Sequence, residues 1–568
     1  AGMTNQSAAC WDALRAHRAG AGDVCIRDLF GADPARFDNY SLECCGLFLD
    51  YSKNPVTDET LHLLFELLRA AGFDEWRARL LSGGEVNTTE QRPALHTALR
   101  RPPDAPLMVA GRDVMREVAD VRSRIGEISG ALRRGEWRGA SGAVVRDVVS
   151  IGIGGSHLGP LMASRAFAAA PASDTPSGGT LPGGTLSHGT PSGGTTPHST
   201  PGGAPPQSTP SHSTPPGDTP PRTTPRVHFV SGAACGELER LLPSLDPART
   251  LFIIVSKSFT TPETLHSARR AADWLGGVAH GQFIAVSGNA GEVRRFGIAP
   301  EHHLPLPQWV GGRHSLCAAA GLPFAIHAGM DAFEEMLAGA HCMDRHFEQA
   351  PPQANAPVIL ALLDVWYVNF HGAQSRAVLP YDDELALLPA YLQQLEMESN
   401  GKSVDRQGRA LVRDSAPVVW GGNALEGQHA FYQLLHQGTR LVPADFIISA
   451  RPAAADAWPC ANFLAQSHLL MHGVEASEPW RRHAGDRPVN ALMLRRLTPR
   501  TLGALIALYE HKVFTQSVVW NINPFDQSGV EAGKTLARGI HRALQSGADV
   551  GGDASTRGLA RRYREWGG

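Results

Sequence analysis

Long apolar runs are missing from this chain. Nowhere do 18 consecutive apolar residues occur, and the N-terminus shows no signal-peptide pattern, so neither a membrane-spanning helix nor export is expected. Cysteine is scarce. The eight cysteines are scattered, none forms a Cys-x-x-Cys pair, and the adjacent Cys44 and Cys45 are a poor start for a disulfide framework, which points to a reducing cytosol. An excess of one charge is also lacking: 52 Lys and Arg face 55 Asp and Glu, and there is no long basic run. That balance argues against nucleic acid or a membrane surface as partner. The nucleotide-binding loops are absent as well. His157 stands where the dinucleotide fingerprint needs glycine, and no Gly-Lys-Ser/Thr follows. No metal-ligand spacing is visible, so no metal and no other cofactor is expected.

What is present reads as helix and strand over 568 residues, enough for two to four domains. Residues 1 to about 80 read as mostly helical. Residues 87–100 read as a helix entered through Thr88 or Thr89, with Arg92 and His96 on one face. Residues 144–151, dense in β-branched side chains, predict a buried strand that runs into Gly152-Ile-Gly-Gly-Ser156 and a helix. A glycine turn between strand and helix lets backbone N–H groups approach an anion. With the nucleotide motifs absent, a small phosphate or a sugar hydroxyl is the favoured ligand, and a close-packing turn is the plain alternative. Residues 171–225 collapse into Gly, Pro, Ser, Thr and His, with Thr-Pro-Ser-Gly-Gly-Thr at 175–180 and again at 190–195. Such a composition cannot bury a core and predicts a disordered insertion.

A second strand at 251–255 runs into Ser256-Lys-Ser-Phe-Thr-Thr261, with Pro262 at the start of a helix. Four hydroxyls crowd that helix N-terminus, whereas N-capping uses one, so the turn reads as a cradle for a phosphate monoester. Arg313 follows a Gly pair; a guanidinium fixed there could stabilise an oxyanion, although an isolated Arg is more often a surface ion pair. Residues 357–363 read as helix or buried strand, and 417–420 and 446–448 as short strands. The stretch Tyr391-Leu-Gln-Gln-Leu-Glu-Met-Glu-Ser-Asn-Gly-Lys402 reads as a helix ending at Asn400-Gly401, with Gln394 and Glu398 four apart on one face. Glu398 falls in the last turn, where the helix dipole disfavours an ionised carboxylate and should raise its pKa toward that of a useful base. His429 reads as opening a helix over 430–437. Asp526 reads as the cap of a helix that would bring Gln527 and Lys534 onto one face.

Taken together and in order, Gly-Ile-Gly-Gly-Ser, Ser-Lys-x-Phe-Thr-Thr, Val-Gly-Gly-Arg, Met-Glu-Ser-Asn-Gly-Lys, Gly-Gln-His-Ala-Phe-Tyr-Gln and Phe-Asp-Gln-x-Gly-Val-Glu-x-Gly-Lys resemble the glucose-6-phosphate isomerase family. The resemblance covers roughly residues 80–560, apart from the insertion. It implies an α/β fold with two sugar-isomerase (SIS-type) domains, each a mainly parallel sheet flanked by helices. The expected division is a helical N-terminal region at 1–105, a first domain at 106–345, a second at 346–545 and a helical tail at 546–568. It also implies a cytosolic homodimer acting on a phosphosugar by aldose–ketose exchange through an enediol. By the same resemblance Glu398 is the base, His429 comes from the neighbouring subunit to open the ring with Lys534, and Arg313 stabilises the enediolate. Gln394 and Gln527 position the sugar. Ser256, Lys257 through its backbone, Ser258 and Thr261 hold the phosphate, and Gly155 and Ser156 line the sugar.

The chain departs from the family pattern at several places: His157 for Asp, Ser258 for Thr, Leu395-Glu396 for Gly and a small polar residue, Asn423-Ala-Leu-Glu426 in the loop before Gly427, and His314, Cys317 and Ser528 at usually aromatic positions. An isomerase that also accepts mannose 6-phosphate, and a phosphosugar-binding regulator, are the competing readings. The retained Glu398, His429, Arg313 and Lys534 favour the enzyme, because a sensor has no need of the base.

Overall fold

The computed structural model describes residues 5–21, 24–167, 224–232, 236–278, 281–451 and 456–567. The low-complexity stretch at 171–225 lies outside them, save its last two residues. Strands are numbered as follows: β1 Ser41–Cys44, β2 Leu47–Asp50, β3 Asp147–Ile151, β4 Arg226–Val230, β5 Thr250–Val255, β6 Phe283–Ser287, β7 His303–Pro305, β8 Ser375–Pro380, β9 Val418–Gly421, β10 Ala444–Ser449 and β11 Val489–Leu494. Two sheets organise the chain. The first is five-stranded and parallel throughout, in the order β7-β6-β5-β3-β4. The second is six-stranded, in the order β1-β2-β11-β10-β8-β9. Its strands β8 to β11 run parallel, and β1 and β2 are added antiparallel at one edge.

The strands read from β-branched runs are present. β3 and β5 are buried along their whole length, as expected of parallel strands covered on both faces. Burying each Val, Leu or Ile there contributes about 1.5–3 kcal/mol. Residues 357–363 belong to the helix Ala356–Phe370, which is buried almost all round. A second enveloped helix, Pro499–Val519, packs along Met330–Gln349 and carries Glu510, His511 and Lys512 into the interior.

Three local expectations are corrected. The described residues up to about 80 are mostly helical, as expected, but they are not a region apart: the β1–β2 hairpin turns at Cys45-Gly46 and zips onto β11 in the second sheet. Residues 87–100 do not form one helix. Glu85–Asn87 pairs with Arg92–Pro93, and a single 3₁₀ turn, Ala98–Arg100, follows. Arg92 and His96 therefore share no helix face, and Thr89 Oγ1, instead of capping, donates to Asp526 at 2.5 Å. Asp526 caps no helix either; a 3₁₀ turn, Ser528–Val530, follows and the next α-helix begins at Glu531, so Gln527 and Lys534 are not two turns apart on one face.

Candidate active site

Backbone glycines build the floor of the site. Gly155 lies so close to the turn Gly312–His314 that a Cβ would stand 2.1 Å from the Gly312 carbonyl oxygen. Only glycine allows that approach, and it sets the first glycine loop against the turn carrying Arg313. Gly154 takes a positive φ of 59°, and its Cα faces the Gln394 amide, 3.0 Å from where a Cβ would sit. Ser156 ends the same short 3₁₀ turn.

Arg313 is buried and held on every side. Its Nε donates to Ser399 Oγ at 2.7 Å, Nη1 to Gln527 Oε1 at 3.2 Å, and Nη2 to the carbonyls of Pro524 and Asp526, the latter at 3.2 Å. Nη1 also lies 3.2 Å from Glu398 Oε2. Burial lowers the pKa of the guanidinium, and Glu398 and Asp526 work against burial. Glu398 is a quarter exposed in its side chain, and the same oxygen accepts from Gln394 Nε2 at 3.0 Å. The carboxylate thus stands at the edge of the cluster, its Oε2 between an amide and a guanidinium. Gln393–Glu398 forms a π-helix where the sequence pattern predicts an α-helix.

The hydroxyl turn spans residues 256–261. Ser256 Oγ and Thr261 Oγ1 are 3.2 Å apart, and Ser258 Oγ accepts from Thr260 Oγ1 at 2.8 Å. Thr261 precedes the helix Pro262–Leu275 and its side chain makes no capping bond, pairing with Ser256 instead. Phe259 holds the turn with φ of 52°, a strained value for a non-glycine residue, and is buried. Lys257 Nζ donates back to the carbonyls of Gln308 and Val310 at 3.0 and 2.8 Å, which ties the turn to the Gly311-Gly312-Arg313 loop. Its ammonium is pulled down to about 8 by burial, with Arg92 adding to the effect.

A cradle of hydroxyls, a guanidinium in the wall and a carboxylate at the edge follow one another in the order of the sequence motifs. The profile described as Phosphoglucose isomerase matches residues 50–175 and 218–560. The chain belongs to the phosphoglucose isomerase family. The gap in that match falls inside the low-complexity stretch. The chain is 43% identical to glucose-6-phosphate isomerase 2 of Chromobacterium violaceum, over 98% of this chain and 97% of that one. It is 43% identical to a glucose-6-phosphate isomerase of Pseudomonas fluorescens, over 98% and 96%. The crystal structure of a glucose-6-phosphate isomerase from Chlamydia trachomatis superposes with a TM-score of 0.79 at 27% identity, covering 99% of both chains.

Within this phosphoglucose isomerase fold, two of the expected residues stand apart from the cluster. His429 is exposed at the C-cap of the short helix Ala424–Gln428, and the next helix starts only at Tyr432, so His429 closes one helix and does not open the other. Lys534 sits on the exposed helix Glu531–Ser546 and pairs with Glu531 at 2.9 Å. In a single chain neither makes a hydrogen bond to Glu398 or Arg313.

Sequence reasoning missed the supports. Lys402, in the quoted Asn-Gly-Lys, donates to the Glu398 carbonyl at 3.0 Å and to the Asp526 carbonyl at 2.8 Å, and pairs with the Asp526 carboxylate at 3.0 Å. Asn523 donates to Asn87 and Thr89, clamping the 523–527 turn against the N-terminal ribbon. The pairing of Asn87 with Asn523 crosses 436 residues of chain, and no local pattern signals it.

His96, His314 and Glu510 also meet. Their donor atoms lie within 4.8 Å of one another, so three groups able to ligate a metal converge although no spacing along the chain suggested it. Arg100 occupies one oxygen of Glu510 and Asp344 balances Arg100. The imidazoles stack with centroids 4.5 Å apart and planes 23° apart, and burial pushes both below the ordinary histidine range. With a guanidinium on the carboxylate and near-parallel rings, the trio is a buried charge network that backs the Arg313 turn, not a cation cage.

Proposed function

We infer that Glu398 carries the proton when this chain interconverts glucose 6-phosphate and fructose 6-phosphate, an aldose–ketose exchange of glycolysis and gluconeogenesis. The observation that supports this assignment is the 3.2 Å approach of Glu398 to a guanidinium otherwise fixed by four neighbours. A base and a rigid cation side by side are what an enediolate needs. The carboxylate takes the proton from one carbon and returns it to the next, while Arg313 faces the oxygen on which negative charge develops. Ser256, Ser258, Thr261 and the Lys257 backbone hold the phosphate at the far end of the open chain. Gln394 and Gln527, Gly155 and Ser156 orient the hydroxyls between. Each proton removed is given back, so the exchange is redox-neutral within the sugar and this route calls on no cofactor.

The ring must open before this step, and His429 with Lys534 are the groups we assign to it. Their exposure in the single chain favours delivery by a second copy. The helices Glu531–Ser546 and Ala554–Glu565 have no buried residue and leave Leu536, Leu559, Tyr563 and Trp566 uncovered, an apolar surface that a homodimer would cover. The seven described cysteines are all free, which fits a cytosolic setting.

Glu398→Gln tests the assignment. It keeps shape and loses the proton acceptor, so kcat should fall by about 10²–10⁴-fold, while a phosphosugar inhibitor binds as before. Near-normal kcat in this variant would remove Glu398 from the mechanism.

A further inference from the structure

Two residues before the proposed base, a second glutamate of the same helix points the opposite way. Glu396 is fully buried, and its carboxylate accepts from Lys512 Nζ with both oxygens at 3.1 Å, from Gln516 Nε2 at 3.1 Å and from Arg376. Arg376 is itself held by Asp364 and Asp445, and Lys512 by Asp364. Arg376 comes from β8, Asp445 from β10 and Lys512 from the enveloped helix Pro499–Val519, so the anchor joins two buried strands of the second sheet to a buried helix. Burial alone would raise the pKa of Glu396, but Arg376 and Lys512 outweigh it and bring it to about 2. Beyond the base the same helix takes a second hold: Asn400 Nδ2 donates to the Val513 carbonyl and to Gln516 Oε1, both at 3.0 Å.

The backbone that carries the first hold and the base is not α-helical. Gln393–Glu398 is wound as a π-helix, which fits one more residue into the turn than an α-helix does. Since each residue of an α-helix turns by about 100°, relaxing the π turn would swing Glu398 and Ser399 by roughly that angle away from Arg313. Arg313 grips both of these side chains, Glu398 by Nη1 and Ser399 by Nε. An extra residue in a helix is costly unless something over-determines it, and Glu396, with three donors on one carboxylate, is the most heavily bonded side chain of the segment.

We propose that Glu396 is a positioning residue for the isomerisation: by pinning the π turn to Arg376, Lys512 and Gln516, it aims Glu398 at the reacting carbons. The proposal rests on Glu398 being the base. Glu396 touches neither sugar nor phosphate, so its loss should act on proton transfer and leave substrate binding in place.

Glu396→Gln keeps length and volume and loses the charge. Glu396→Asp keeps the charge and is one methylene too short to reach its partners from the same backbone. Misplacing a reacting group by about 1 Å costs on the order of 10²-fold. Glu396→Gln should therefore lower kcat by about 10–10²-fold with KM for glucose 6-phosphate changed less than threefold, and Glu396→Asp should do the same more mildly. The second readout is isotopic. In deuterated water a poorly aimed base hands the proton on more slowly, so more deuterium should enter the product per turnover than in the wild type. A contribution to stability alone would leave that ratio unchanged. Unchanged kcat and unchanged exchange in both variants would overturn the proposal. So would parallel collapse of kcat, KM and melting temperature in Glu396→Gln with wild-type exchange in Glu396→Asp. Failure of the base assignment is read separately, from an active Glu398→Gln.

Discussion

Arg313 is the residue on which the site converges. Four groups besides Glu398 fix its fork, and two of them are carbonyls of the 524–526 turn. A lysine has no planar fork and could not reach Ser399, Gln527 and both carbonyls at once. Arg313→Lys should therefore cost about 10²–10³-fold in kcat, the usual price of one lost oxyanion donor, with the phosphate end still binding. Steady-state kinetics with inorganic phosphate as competitor separates the two effects; an equal rise in the inhibition constant for phosphate would place Arg313 at the wrong end of the substrate. Lys257 gives the pH dependence. Its folded pKa of about 8 lies below the ordinary lysine value, so the positive charge next to the cradle is present below pH 8 and is lost as pH rises through it. KM for glucose 6-phosphate should climb through that window more than kcat changes, and Lys257→Met should flatten the climb. The linked effect on folding has the opposite sense: the unfolded chain binds the extra proton between about 8 and the ordinary lysine range, so this group makes the fold more stable as pH rises there.

At the scale of elements, the proposed assignment gives holding to the turn Ser256–Thr261 and reaction to the π segment. Removing the Ser258 and Thr261 hydroxyls takes away bonds to a charged group worth about 1.5–3 kcal/mol each. The double alanine variant should raise KM for glucose 6-phosphate at least about tenfold while leaving any weak binding of free glucose alone. Equal losses for both ligands would move the phosphate elsewhere. These elements were also the most legible ones. β3, β5, β9 and β10 announce themselves through β-branched runs, and the glycine and hydroxyl turns through composition, because parallel strands and anion-binding turns are local in sequence. The π turn was not legible: its period differs from that of an α-helix by less than one residue, and Leu388, Leu392 and Leu395 satisfy either. The ribbon at 85–93 was misread as helix because its strands pair only across a short turn and are held from outside, by Asn523 and Asp526. The trio His96, His314 and Glu510 was invisible for the same reason: its members lie on separate elements hundreds of residues apart.

At the scale of the whole molecule, the single chain brings Glu398 and Arg313 together but leaves His429 and Lys534 at its surface. If both reach the site of a second copy, inactive Glu398→Gln and His429→Ala chains should restore activity when mixed. Under random exchange about half the dimers are mixed and about a quarter of all sites intact, for a closed two-fold oligomer. Mixed dimers verified by mass yet inactive would show that His429 serves its own chain. The central claim, proton transfer between neighbouring carbons by Glu398, is tested most directly by following fructose 6-phosphate turnover by the wild-type protein and by Glu398→Gln in deuterated water, with glucose 6-phosphate detected by a coupled assay and its C2 by NMR. The account predicts rapid formation of glucose 6-phosphate with partial deuterium at C2 in the wild type and loss of both in Glu398→Gln. Turnover without any deuterium at C2, or a variant that still turns over, would contradict it.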